Sequence, residues 1–137
     1  MTSATTAPEA EALSETAEDV RPLPLRIGAE LLGTFIACFA IYVFCTFGSI
    51  VFSLNLAYVA IGTGLVYMAV TLFLGRISGG QFNPAITVAA MLTGKTKVLD
   101  GILYIVFQVV GGALAGLLIK SLLPVSSTIT AKQWLTT

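Results

Sequence analysis

The sequence has no histidine, and only 10% of its 137 residues are charged. Without histidine, general acid–base catalysis and most metal sites lose their commonest residue. A soluble domain carries about 25% charged residues, so the chain is short of the groups that cover a water-facing surface. Acids are scarcer still beyond the amino-terminal end: Glu9, Glu11, Glu15, Glu18 and Asp19 lie in the first nineteen residues, and only Glu30 and Asp100 follow. The two cysteines, Cys38 and Cys45, are seven residues apart. On a helix that is about 10 Å of rise, too far for a disulfide between them, so both read as packing residues.

What the chain has instead is apolar length, with 56% hydrophobic residues. Met1 to Val20 is rich in Ala, Thr, Ser and Glu, has no apolar periodicity and reads as a disordered, solvated tail. It lacks the basic and then apolar pattern of a signal peptide. "RPLPLR" (Arg21 to Arg26) punctuates the entry into three long apolar segments, at about 27–51, 56–74 and 101–119. Each reaches the about 20 residues that a membrane span needs, and none has the polar face of a buried soluble helix. The fold class is therefore an all-α membrane protein.

Basic residues set an expected orientation. Arg21 and Arg26 precede the first span, and Arg76, Lys95 and Lys97 lie between the second and third. None lies in "TFGSIVFSLNLA" between the first two spans, while Lys120 and Lys132 follow the third. Five against two predicts a cytoplasmic amino terminus and an external carboxyl end, with Lys95 inside and Trp134 outside.

One stretch breaks the apolar pattern: "GRISGGQFNPAITVAA", Gly75 to Ala90. Ser78, Gly79 and Gly80 loosen the backbone, and Pro84 has no amide hydrogen. Irregular backbone at membrane depth is tolerated where protein buries it or where it lines a wet cavity. Asn83 suits a helix N-cap and Pro84 the first helical position. Ala85 to about Met91 then makes a helix too short to cross, which must return to the side it left, marked by Lys95 and Lys97. The result is a re-entrant loop and half-helix, about 76–93, whose electropositive amino terminus lies near the bilayer centre. Carbonyl acceptors leading to such an end suit a permeant that donates and accepts hydrogen bonds, and the field of the electropositive helix end repels cations and a hopping proton.

"SGGQFNPAIT" resembles the first Asn-Pro-Ala loop of the major intrinsic proteins, the aquaporin and aquaglyceroporin family. "AELLGT" (Ala29 to Thr34) and "QVVGG" (Gln108 to Gly112) resemble that family's patterns in the first and third spans. The resemblance implies one half of an inverted-repeat aquaporin-like fold: tail 1–24, half-domain 25–123, external tail 124–137. By resemblance, Asn83, with Pro84 and Ala85, offers its side-chain amide at the pore centre, and the carbonyls of Gly79, Gly80 and Gln81 form an acceptor ladder. Glu30 accepts hydrogen bonds from the loop and Gln108 braces it. Glu30 also fits an interfacial acid at a first helical turn, and Gln108 a general interhelical hydrogen bond. Gln81 stands where the family usually has His, and Thr63 where many members place an aromatic that narrows the outer filter.

The function implied is a channel in the cell membrane for water or small neutral solutes such as glycerol, with no catalytic residue, metal, cofactor or nucleic acid. Family members carry two halves, and the second Asn-Pro-Ala loop is followed by an arginine. Neither that loop nor further spans are present here. The expectation is a truncated half that does not conduct alone. Given a second half, the resemblance implies a homo-oligomer, a tetramer. A different class of reading is a non-conducting half-channel that binds a full-length relative as an interaction or regulatory subunit. A carrier or membrane enzyme needs ionisable groups at mid-bilayer, and Glu30 alone is available.

Overall fold

The computed structural model describes residues 21–51 and 56–122, with side-chain surroundings over 21–46 and 56–122. The tail Met1–Val20 and the region after Leu122, including Trp134, lie outside the described residues. Among the described residues four helices form: α1 Leu23–Val51, α2 Leu56–Ser78, α3 Pro84–Leu92 and α4 Val98–Leu122. Leu23–Thr46, Leu56–Ser78 and Val98–Leu122 are long and apolar enough to cross a membrane.

Local chemistry explains the ends. The Pro22 carbonyl accepts the amides of Leu25 and Arg26 at 3.0 and 3.3 Å, which starts α1 at Leu23. Pro24 fits there because its missing N–H would have no partner in a first turn anyway. Asn83 caps α3, accepting the Ala85 amide on its side chain at 2.8 Å, with Pro84 as the first helical residue. At the other end of α3, Lys95 N donates to Ala90 O at 2.9 Å and Gly94 N to Met91 O at 3.2 Å, with Gly94 at φ 73°. That is a Schellman stop, and the left-handed residue it needs is a glycine.

The helices run past the expected apolar segments. α2 continues through Gly75, Arg76 and Ile77 to Ser78, four residues beyond the expected end at 74, so Arg76 sits in its last turn rather than in a loop. α4 starts at Val98 and ends at Leu122 rather than at 101 and 119. Helix termination follows the supply of hydrogen-bond partners rather than the last apolar residue. Ser78, fully buried, finds such partners on α1 and α4.

α1 packs between α2 and α4, and α3 lies on α4. α1 and α4 run parallel: Arg26 pairs with Asp100, Leu31 lies against Gly111, and Tyr42 against Gly116. α2 is antiparallel to α1, since Phe44 meets Tyr58 edge-on (5.5 Å between centroids) at one end and Glu30 meets Ser78 near the other. α1 and α4 approach closely at Gly111, where an added Cβ would stand 2.5 Å from the Leu31 carbonyl oxygen. Small residues at such points let membrane helices approach.

These contacts also set the depth of α3. Thr87, in its first turn, meets Gln108, and Met91, near its end, meets Gly101. Gln108 lies ten residues into α4, about 15 Å along its axis, roughly half of a bilayer core of about 30 Å. α3 thus begins beside the middle of α4 and returns to the end at which α4 starts.

Candidate functional site

The loop 79–83 joins the end of α2 to the start of α3. Its backbone is unusual: Gly79 has φ 94°, Gly80 φ 73° and Phe82 φ 46°. Glycine carries the left-handed conformation cheaply, but a phenylalanine there is strained by about 1–2 kcal/mol. The surroundings hold it. The Phe82 amide donates to Glu30 Oε2 at 2.6 Å, the Tyr67 hydroxyl donates to the Phe82 carbonyl at 3.3 Å, and the ring fills the space over Gly33. At Gly80 the chain passes close to α2, and an added Cβ would lie 3.0 Å from Gly75 Cα.

Glu30 is the hub. Its carboxylate, 0% exposed, accepts four hydrogen bonds. Oε1 takes Ser78 Oγ at 2.6 Å and Gln81 N at 3.1 Å, while Oε2 takes Phe82 N and Gln108 Nε2 at 2.7 Å. Two donors per oxygen satisfy a buried carboxylate that would otherwise be costly at this depth. Gln108 Nε2 also reaches Thr87 Oγ1 at 3.0 Å, and the Thr87 hydroxyl donates to the Asn83 carbonyl at 3.1 Å. One network therefore joins α1, α2, the loop, α3 and α4.

The Asn83 side chain is exposed, with its oxygen held by the Ala85 amide. Its amide nitrogen is thus oriented by the cap at the electropositive end of α3. Among the described residues no hydrogen bond reaches the carbonyl oxygens of Gly79, Gly80 or Gln81. The Gln81 side chain turns inward: it is buried, and its Nε2 donates to Thr96 Oγ1 at 2.7 Å in the connection between α3 and α4. Pro84 is half-buried and Ala85 exposed. Thr63 makes no hydrogen bond to the loop among the described residues, and its buried Oγ1 has no partner there. It stands one turn before Tyr67 on the same face of α2, about 6 Å along the helix.

Sequence reasoning passed over Thr87, Tyr67, Tyr104 and the pair Arg26–Asp100. The Arg26 guanidinium lies 2.7 Å from the Asp100 carboxylate and donates through Nε to the Tyr104 hydroxyl at 2.8 Å. A signal was present: Arg26, Thr87 and Tyr104 each stand four residues from Glu30, Asn83 or Gln108. Four residues on a helix place side chains on one face.

The family described as "Major intrinsic protein" matches residues 23–135. The chain belongs to the major intrinsic protein family. Among its relatives, Aquaporin Z of Photorhabdus laumondii is 38% identical over 97 residues, covering 66% of this chain and 40% of that protein. Aquaporin-B of Dictyostelium discoideum is 33% identical over 99 residues, covering 69% of this chain and 33% of that protein. The Glycerol uptake facilitator protein-like 6 of Lactiplantibacillus plantarum is 32% identical over 93 residues, covering 68% of this chain and 41% of that protein. This major intrinsic protein chain thus spans 33% to 41% of the length of these relatives. No solved structure matches it at a significant level.

Proposed function

We propose that this chain supplies one half of the wall of a membrane channel for water and small neutral solutes such as glycerol. The observation that carries the reading is the pairing of an exposed, cap-oriented Asn83 amide with the preceding unpaired carbonyls of Gly79, Gly80 and Gln81. Acceptors followed by a donor at a helix amino terminus fit a permeant that gives and takes hydrogen bonds. The carboxylate bonded to the loop, that of Glu30, is fully enclosed by its donors, so its charge is not presented to the path. The half-unit positive charge of about +0.5 at the start of α3 opposes cations. The names of the relatives, aquaporins and a glycerol uptake facilitator, agree with this class of permeant. No bond of the permeant is made or broken, so the chain acts as a channel component and not as an enzyme.

The three spans and the half-helix of the described residues are too few to enclose a pore alone. Conduction therefore calls for a second, inverted half, and the assembled channel is a homo-oligomer in the cell membrane with its amino terminus cytoplasmic. The test is osmotic. Proteoliposomes holding this chain alone are expected to shrink at the rate of empty vesicles. Vesicles holding this chain fused to the carboxyl-terminal half of a relative should shrink several-fold faster, with Asn83→Asp slowing them. A fusion no faster than empty vesicles, although folded, overturns the reading.

A further inference from the structure

We propose that Arg26 and Tyr104 are positioning residues for the loop 79–83, and that Asp100 sets them through a relay ending on the Ser78 carbonyl. The proposal rests on the reading of that loop as the permeant's acceptor segment.

Ser78 is the last residue of α2, and the loop swings from it. It is 0% exposed and gripped on both sides. Its hydroxyl donates to Glu30 of α1 at 2.6 Å, and its carbonyl accepts the Tyr104 hydroxyl of α4 at 3.3 Å. A carbonyl at a helix end lacks an intrahelical partner, so this bond replaces one the helix cannot supply. The two grips differ in origin. Glu30 holds the loop's own amides as well, whereas Tyr104 holds the root from which it turns.

The Tyr104 hydroxyl is itself oriented. Arg26 Nε donates to its oxygen at 2.8 Å, which occupies an acceptor position and leaves the hydroxyl proton free to point to Ser78. Arg26 lies 5.6 Å from the centre of the Tyr104 ring, and its terminal nitrogen is held by Asp100 at 2.7 Å. Arg26 is 6% exposed, and the guanidinium is tied at both its Nε and its terminal nitrogen, so it has little freedom to turn. A donation from a charged group also polarises the hydroxyl and strengthens its own donation. The relay thus runs from the end of the bundle where α1 and α4 start, at Asp100, through Arg26 and Tyr104 to Ser78, and it meets the Glu30 hub there.

Hydrogen–deuterium exchange of the full chain in lipid nanodiscs tests the coupling without any conduction, so a failed relay and a silent pore are told apart. Tyr104→Phe keeps the ring and the Arg26–Asp100 pair and removes only the hydroxyl. The hydroxyl's bonds to the Ser78 carbonyl and from Arg26 Nε are both lost, and release of the Ser78 carbonyl is expected to speed exchange of the amides from Gly79 to Phe82 about fivefold, with Ile105 to Ala115 of α4 unchanged. Asp100→Asn should speed the same loop amides in the parent, yet add nothing in the Tyr104→Phe background, because both act through one hydroxyl. Asp100→Glu, which keeps the carboxylate, should restore slow exchange. Parent-like loop exchange in Tyr104→Phe overturns the proposal. So does a uniform rise over all helices, or a full additional effect of Asp100→Asn in the double variant.

Discussion

The backbone amide of Phe82 donates to Glu30 Oε2 at 2.6 Å, and Phe82 is the one described non-glycine residue with a positive φ, 46°. A carboxylate on α1 therefore stabilises a strained residue 52 positions later, at the entry to α3. Strain of this kind persists only where the surroundings over-determine it.

Glu30→Ala removes the acceptor for Ser78, Gln81, Phe82 and Gln108 together. Each buried donor left without a partner costs about 1–3 kcal/mol, and several at once should abolish folded yield or lower the melting point by tens of degrees. Glu30→Gln keeps one acceptor oxygen and should be milder. Thermal unfolding in detergent, read by size-exclusion recovery, checks both. A Glu30→Ala protein as stable as its parent contradicts the hub.

Gly80→Ala and Gly64→Ala should move stability in opposite directions. At Gly80 an added Cβ meets Gly75 Cα at 3.0 Å and Thr71 Cγ2 at 3.4 Å, on a backbone with φ 73°. The conformational term alone costs about 1–2 kcal/mol. At Gly64, inside α2, nothing lies within 4 Å, and alanine in a helix gains up to about 1 kcal/mol over glycine. Melting temperatures of the two variants in one detergent decide it.

Gly111→Ala should separate α1 from α4, because the new methyl group stands 2.5 Å from the Leu31 carbonyl oxygen and backbone has no room to yield. Gly116→Ala meets only the Tyr42 ring at 3.7 Å, ordinary contact, and should be tolerated. The comparison also reaches the loop. Gly111→Ala is expected to speed exchange of the Gln81 and Phe82 amides, since Gln108 and Glu30 sit on the two helices being forced apart. Gly116→Ala should leave those amides at the parental rate.

The orientation argued from the basic residues is open to chemical labelling. With Cys38 and Cys45 replaced, Lys95→Cys should react with a membrane-impermeant maleimide only from the cytoplasmic side. Trp134→Cys should react only from outside. Equal labelling of Trp134→Cys from both faces would mean that the chain inserts both ways, and an antiparallel pair of halves would become the better account of the pore.

By itself the sequence determined the elements whose causes are local. Three apolar runs of membrane length, the break at Ser78 to Gly80, the cap at Asn83 with Pro84 and the stop near Lys95 all follow from neighbours a few residues apart. Hydrophobic length and cap chemistry act within one or two turns, so a linear reading reaches them. It missed the extra turn of α2 because Ser78 is held by Glu30 and Tyr104, partners 48 and 26 residues distant. The resemblance pointed to Glu30 and Gln108, but only the tertiary structure decided which atoms meet. It brings Glu30 and Gln108 together across 78 residues at 2.7 Å, turns the Gln81 side chain inward to Thr96, and ties Arg26 to Asp100. The physical reason is that the bonds between α1 and α4 depend on how closely the two helices approach, as at Gly111. That distance comes from the absence of a side chain on one helix facing a backbone carbonyl on the other, and no pattern along a single helix records it.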